Sequence, residues 1–230
     1  MAPSRQAREE GRRQARRIVL FWSGTEMPYG CFSQWYTKPD GHFVLDGETY
    51  FCAEQFMMAT KARLFEDDDS LAEIMRERHS PKRIKELGRG VRDFNAGRWS
   101  EAAFGVVKAA NLAKFGQNDR LRKVLVGTGD DLVAEASPFD KIWGIGLRAD
   151  DPRAKDPATW AGENLLGKAL MAVRDELKQD RPPAGLRAGG RRLGSRLQHD
   201  DLNTDHAGDA DAAGKQRGGS IFGAFWSSSS

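Results

Sequence analysis

The sequence predicts a compact α+β domain, mostly helical, with a small β-hairpin or sheet. Three observations carry this prediction. Short apolar runs that read as strands stand at Ile18–Trp22 and across residues 41–50. Between residues 51 and 127 helix-forming stretches alternate with capping residues, Gly and Pro. A last amphipathic stretch, residues 163–179, closes the globular part. The chain has 230 residues, is 39% hydrophobic and holds 12 Phe and 6 Trp, enough for one core with appendages.

Taken in order, residues 5–17 carry six Arg against Glu9 and Glu10, so residues 1–17 are expected to form a flexible basic arm. Ile18 to Trp22 is a strand ended by Ser23-Gly24. Residues 24–41 are rich in Gly, Pro and aromatics and read as irregular. Gly41 to Tyr50 reads as strand, Asp46-Gly47 turn and return strand. Tyr50 to about Phe65 is a helix with no Gly or Pro, broken by Glu66 to Asp69. Ser70 is the expected cap of a helix to about Arg78. Ser80-Pro81 starts the next, closed by Gly88. Ser100 is expected to cap a longer helix, Glu101 to Phe115, with Gly116 at its end. Asn118 caps a short one ending near Gly127. Leu132 to Ala136 alternates weakly, as a strand. Residues 138–162 show no period and form a long loop, a class often functional. Glu163 to Gln179 carries the stripe Leu165, Leu166, Ala169, Leu170, Val173 and Leu177. The domain is therefore expected over residues 18–179. Residues 180–230 shift to Gly, Arg, Asp, Ala and Ser, a low-complexity tail expected to be disordered. Ile221 to Trp226 in that tail reads equally as a docking peptide or as an end of no specific role.

Composition excludes several classes. The formal charge of +3 does not by itself indicate nucleic acid. No apolar run approaches the ~18 residues of a membrane span, and the N-terminus lacks the apolar region of a secretory signal. Cys31 and Cys52 make neither a disulfide framework nor a metal site, and the four histidines show no ligand spacing. A reducing, cytoplasmic setting with no cofactor and no metal is the expectation.

The helix after Tyr50 is the most informative segment. Up to Lys61 its only charges are Glu54 and Lys61. Seven residues is close to two turns, so both lie on one face, roughly 10 Å apart along the axis. Two readings fit: a charged face meeting solvent, or a lined pocket. Phe51, Phe56, Met57, Met58 and Leu64 leave little polar face. An amine beside apolar groups loses part of its proton affinity and becomes nucleophilic, and a carboxyl nearby moves protons. Asp140-Lys141-Ile142-Trp143-Gly144-Ile145-Gly146 opens the long loop, with glycines for close approach and Trp143 for stacking, or as an ordinary turn over a core Trp. Glu163-Asn164-Leu165 offers free N–H groups at a helix start, beside Arg148, Arg153 and Lys155. Gly30 to Tyr36 carries two polar hydrogen-bonders and three aromatics, fit to sandwich a planar base or to pack a core. Arg89, just past a helix end, suits a phosphate.

Together these segments resemble the NADAR (YbiA-like) family over about residues 18–178. The residues that carry the resemblance are Phe21-Trp22-Ser23, Phe32-Ser33-Gln34, Glu54-x6-Lys61, Leu87-Gly88-Arg89, Trp99, Lys114-Phe115, Asp140-x-x-Trp143-Gly144-x-Gly146 and Asn164-x-x-Gly167. Gln34 stands where many members have Asn, and Gln55 where His is frequent. The resemblance implies a compact, mostly helical α+β fold and hydrolysis of a ribose–base N-glycosidic bond. It implies that Lys61 forms a Schiff base with the sugar, with Glu54 or Asp140 handling protons. Substrate binding then falls to Trp22, Ser23, Phe32, Ser33, Gln34, Arg89, Trp99, Trp143, Gly144, Gly146 and Asn164. The implied partner is an ADP-ribose-type or ribosyl phosphate ligand. Three functions follow. One removes ADP-ribose from guanine in DNA or RNA, to which the basic arm and the Arg-rich tail would draw the enzyme. The second cleaves ribosylamino-pyrimidine phosphates of riboflavin biosynthesis. The third is a non-catalytic ADP-ribose or NAD reader, which would have no use for Lys61 with Glu54.

Overall fold

The computed structural model describes residues 16–179. Residues 1–15 of the arm, the tail and its Ile221–Trp226 segment lie outside the described residues. The elements follow the order β1 (Ile18–Phe21), β2 (Phe43–Leu45), β3 (Glu48–Tyr50), α1 (Ala53–Leu64), α2 (Asp68–Arg76), α3 (Pro81–Arg89), α4 (Ala96–Gly116), α5 (Asp119–Gly127), β4 (Leu132–Glu135) and α6 (Leu165–Gln179). The fold is mostly helical with two small two-stranded sheets.

The hairpin β2–β3 pairs Phe43 with Tyr50 and turns at Asp46-Gly47. Both turn residues have positive φ, 52° and 79°, as a two-residue turn that matches strand twist requires. The second sheet pairs β1 with β4 in parallel, Ile18 opposite Leu132 through Phe21 opposite Glu135. A parallel pair needs a long crossover. Here the crossover is the hairpin and α1–α5 together, so the two strands end side by side at Phe21 and Glu135. Trp22-Ser23 follows one end and the Asp140 loop follows the other.

Helix α1 is the most buried element. Every residue from Ala53 to Ala62 is buried, polar ones included. A helix without a solvent face must be enclosed, and α2, α3, α4 and β3 pack around it. Gln55 helps hold that enclosure. Its carbonyl oxygen accepts from Phe51 N at 3.0 Å, and its amide donates to the Ile74 and Glu77 carbonyls at 3.1 and 2.9 Å. The long α4 packs against α6, α1 and α5. Between them lie Phe32, Phe115, Val107, Leu121, Leu125, Leu166, Leu170 and Val173, all sealed from solvent.

Several boundaries differ from the sequence expectation, for local reasons. Asp67, not Ser70, caps α2: its carboxylate accepts from Ser70 N at 3.2 Å and from the Ser70 hydroxyl at 2.7 Å. An ionised carboxylate is the stronger acceptor for a helix N-terminus. Asn95, not Ser100, caps α4 by accepting from Arg98 N at 2.9 Å. Ser100 lies within the helix, where its hydroxyl bonds back to Gly97 O. Helix α3 runs one residue past Gly88, with Gly90 as C-cap. Helix α6 begins at Leu165 because Asn164 has φ 55°, outside the helical range. The caps at Ser80 and Asn118 fall as expected.

Residues 138–162 are not structureless. They contain short 3-10 turns at Pro152–Lys155 and Pro157–Thr159. Ile145, Leu147 and Ala154 form a small second core with Ala134 and Ala136, flanked by Ile18, Leu20 and Trp160. Ala161 N to Ile145 O, Glu163 N to Lys141 O and Asn164 N to Gly144 O, at 3.0, 2.8 and 3.1 Å, tie the loop's two ends together.

Candidate active site

Burial decides between the two readings of the Glu54–Lys61 helix. Glu54 is 5% exposed and Lys61 8%, so neither lies on a solvent face. Glu54 sits in the first turn of α1, where its N–H donates to Gln34 O at 3.1 Å. That contact is itself held from α4. Asn111 donates to Gln34 Oε1 at 3.0 Å, and the buried Lys114 ammonium donates to Ser33 O at 3.3 Å. The inner face of α4 thus grips residues 33–34, which in turn fix the start of α1.

Desolvation raises the Glu54 pKa above the usual carboxylate range. Lys85, an indole hydrogen bond from Trp35 and Arg89 pull it down, while Asp140 pushes it up. Lys85 also lies over the Trp35 ring, 5.8 Å from its centroid. Lys61 donates to Gly88 O at 2.7 Å and stands 4.0 Å from the centroid of Phe94. Burial, then the Arg89 charge, lowers its proton affinity below that of an ordinary lysine. Arg89 acts on both residues and so links the acid end of the helix to the amine end.

Close approach of α3 to α1 depends on Gly88. A Cβ there would fall 2.0 Å from Met58 Sδ. The Gly88 carbonyl belongs to the last turn of α3, where helix carbonyls lack intrahelical partners, and Lys61 satisfies it.

The parallel strands deliver the other acids. Asp140 folds an Asx turn, Oδ1 accepting from Ile142 N at 2.9 Å and Trp143 N at 2.7 Å. A Cβ on Gly144 would stand 2.9 Å from both Asp140 O and Glu135 O, so only glycine lets this loop lie against the end of β4. Gly146 has φ 69°. Glu135, the last residue of β4, is pushed up to about 7 by burial first, then by Asp140, with Lys85 opposing and Glu54 adding to the rise.

The predicted residues divide. Arg89 acts electrostatically on both Glu54 and Lys61, and Asp140 acts on Glu54. Trp22 and Phe139 are both exposed, their centroids 6.4 Å apart, at the strand ends. Ser23 bonds Thr25 through its hydroxyl. Trp143 and Trp99 are half-buried against the main core. Phe32, expected to contact ligand, is instead sealed among Phe21, Tyr29 and Phe115. Of the three aromatics in residues 30–36 it is Trp35, 41% exposed, that reaches Glu54. Ser33 accepts from Trp35 N, and Gln34 pairs with Asn111, so both side chains serve the loop's own geometry. Asn164 is 2% exposed and pairs with the free edge of β4, accepting from Glu135 N at 3.1 Å and donating to Val133 O at 3.0 Å. It positions Glu135. Sequence reasoning missed Glu135, Lys85 and Phe94, and marked Trp35 only as one of the three aromatics of residues 30–36. One signal for Glu135 was available: a carboxylate at the end of an otherwise apolar strand, just before the long loop.

Among the described residues no group of three or more His, Cys, Asp or Glu is arranged to hold a metal ion, and no helix is long and apolar enough to cross a membrane.

Comparison with known proteins defines the class first. The chain is 46% identical over 151 residues to N-glycosidase R617 of Acanthamoeba polyphaga mimivirus, covering 64% of this chain and 88% of that one. It is 29% identical over 163 residues to N-glycosidase YbiA of Escherichia coli strain K12, covering 70% and 88%. These relatives place it among the hydrolases of N-glycosyl bonds. More particularly, a family model for the NADAR domain matches residues 20–178, and the chain belongs to that family. Protein irg-1 of Caenorhabditis elegans is similar as well, 38% identical over 173 residues, covering 70% of this chain and 79% of that one. The fold resembles the solution structure of E. coli YbiA with a TM-score of 0.59 at 27% identity, covering 74% of this chain and 91% of that one.

Proposed function

We propose that the protein cleaves a ribose–guanine N-glycosidic bond, removing ADP-ribose from guanine in nucleic acid through a Schiff base on Lys61. The observation that carries this reading is the buried amine of weakened basicity on the same helix as a buried carboxyl of raised proton affinity. An amine attacks only as the free base, and a departing base needs a proton; burial prepares both.

Glu54 gives its proton to the base as the C1–N bond breaks, the electron pair leaving with the base. The Lys61 amine adds to C1 and sheds a proton. The ring C1–O bond then opens to an imine, its oxygen taking a proton. Water adds to the imine carbon, C–N cleavage returns Lys61, and the sugar closes. Asp140 contributes negative charge that favours the oxocarbenium-like stage. Arg89, exposed and acting electrostatically on both Glu54 and Lys61, would take a phosphate of the ligand.

The test uses borohydride with ADP-ribosylated DNA. A stable adduct at Lys61 and loss of turnover in Lys61→Arg are expected. Wild-type turnover in that variant refutes the Schiff base. Release of ribose phosphate from ribosylamino-pyrimidine phosphates, with ADP-ribosylated DNA untouched, refutes the substrate.

A further inference from the structure

Helix α3 carries a row of cations. Lys82, Lys85 and Arg89 stand three and four residues apart, so they share one side of the helix. At about 1.5 Å of rise per residue the row is about 10 Å long. Ile84 and Gly88 face inward and are buried. Lys82 and Arg89 are exposed and Lys85 is half-buried. None of the three forms a salt bridge with another of the described residues. Glu86, the only acid of α3, is bridged by Arg83 at 3.6 Å. Arg83 and Leu87 turn to the α2 side, where they line a depression with Glu73, Arg76 and Glu77. The mixed charges lie on that flank, and the row itself is wholly positive. The row leads to the candidate active site. Lys85 stands 5.8 Å from the centroid of Trp35, whose ring is 41% exposed and whose indole donates to Glu54. Gly88, next to Arg89, accepts from Lys61 at 2.7 Å. Unpaired cations beside an open aromatic face suit a nucleic-acid strand, with phosphates on the cations and a base on the ring.

We infer that this side of α3 is the track of a single-stranded nucleic acid, Lys82 and Lys85 taking backbone phosphates beside the modified nucleotide and Trp35 stacking a base. The row matches the rise of about three nucleotides at ~3.4 Å each. The two phosphates of an ADP-ribose are neighbours and span less than the row, so a cation two helical turns from Arg89 serves a longer ligand. Glu54 and Lys61 are nearly sealed, and a base brought to them leaves its stack, which costs least in a single strand. The identity of the strand rests on the guanine N-glycosidase reading, in which the modified base is part of a nucleic acid.

The track is tested on the full chain by the fluorescence anisotropy of an unmodified, labelled single-stranded DNA of about ten nucleotides, over a range of salt. Each phosphate contact contributes about 0.7 to the slope of log affinity against log salt. Lys82→Glu is expected to weaken binding severalfold and to reduce that slope by about 0.7. Lys82→Ala, which removes the charge without reversing it, should give the same slope with a smaller loss. Lys123→Glu makes the same change of charge on α5, a helix packed against α4 and α6, and should leave the slope as in the wild type. The basic arm and the tail are identical in all these chains and cancel in the comparison. An unchanged slope in both Lys82 variants, or an equal loss in Lys123→Glu, overturns the track. Lys82→Glu should cost binding to a duplex of the same sequence less, and an equal cost overturns the choice of a single strand. In turnover, Lys82→Glu should raise KM for an ADP-ribosylated oligonucleotide more than for ADP-ribosylated guanosine. Equal rises put Lys82 on the ADP-ribose itself and overturn the track. Absence of turnover in the wild type strikes the proposed substrate, and the strand-binding comparison then decides the track by itself.

Discussion

Lys114 is the residue whose removal has the most definite consequence. Its side chain is fully buried on α4, its ammonium donating to Ser33 O at 3.3 Å and lying 4.8 Å from the Phe115 centroid. Desolvation lowers its pKa from 10.5 to about 8, opposed by Cys31 and Cys52. The unfolded chain therefore binds more protons than the folded one between about pH 8 and 10.5. Stability must rise with pH across that window, because unfolding takes up a proton there. Below pH 8 the whole penalty of burying the charge is present, roughly 3 kcal/mol at ~1.4 kcal/mol per pH unit. Above 10.5 the amine is neutral in both states and the penalty is gone. Lys114→Met removes this dependence but leaves the Ser33 carbonyl without its donor, a loss of about 1–3 kcal/mol. At pH 7 the two effects nearly offset, and the variant should be about as stable as wild type. Between pH 7 and pH 9.5 the wild type should gain about 2 kcal/mol on the variant. Urea melts at the two pH values measure this. Cys52 and Tyr50, both raised to about 12, make stability fall at high pH, but they are present in both proteins. A wild-type-minus-variant difference that is the same at both pH values refutes the reasoning.

Asn164→Asp should destabilise at least as much as Asn164→Ala, by about 1–3 kcal/mol in thermal melts, since Asp keeps an acceptor for Glu135 N but sets an oxygen against Val133 O. Gly88→Ala should cost about 1–3 kcal/mol and reduce turnover, because its Cβ meets Met58 and displaces the carbonyl that holds Lys61; Met58→Ala in the same chain should restore much of both. Trp35→Phe removes the indole donor that holds the Glu54 carboxylate, so Glu54 should titrate at higher pH when its side-chain carboxyl is followed by carbon-13 NMR. Asp67 is held below the usual carboxylate range first by its hydrogen bonds to Arg92 and then by Ser70. Its contribution is complete above its ordinary value of 3.8 and is lost as pH falls below it, so Asp67→Asn should flatten the acid limb of the stability curve.

The helices were legible because their signals are local. A Ser-Pro start, an Asn cap and the Leu stripe of α6 each depend on neighbours within two turns. The Asp-Gly hairpin is local too. Misplaced caps at Ser70 and Ser100 came from the same short range. Asp67 and Asn95 were competing acceptors a turn earlier, and the better-placed oxygen won. The Glu54–Lys61 spacing put both groups on one face, but spacing cannot say what covers a face.

The sequence by itself determined the class of fold, the family and the two ends of the α1 site, because capping, periodicity and motif order are properties of neighbouring residues. Only the tertiary structure decided the environments. It enclosed α1 on every side, turned Trp35 rather than Phe32 toward Glu54, and set Asn164 to pair with a strand edge. It also drew Glu135 away from water at the end of β4, where the Asp140 charge acts on it. That last step depends on β1 and β4 pairing in parallel across the helical crossover, and on Gly144 letting the Asp140 loop close onto the strand end. The electrostatics of the site follow from removing those carboxyls from water together, and desolvation is a property of the packed chain, not of any segment of it.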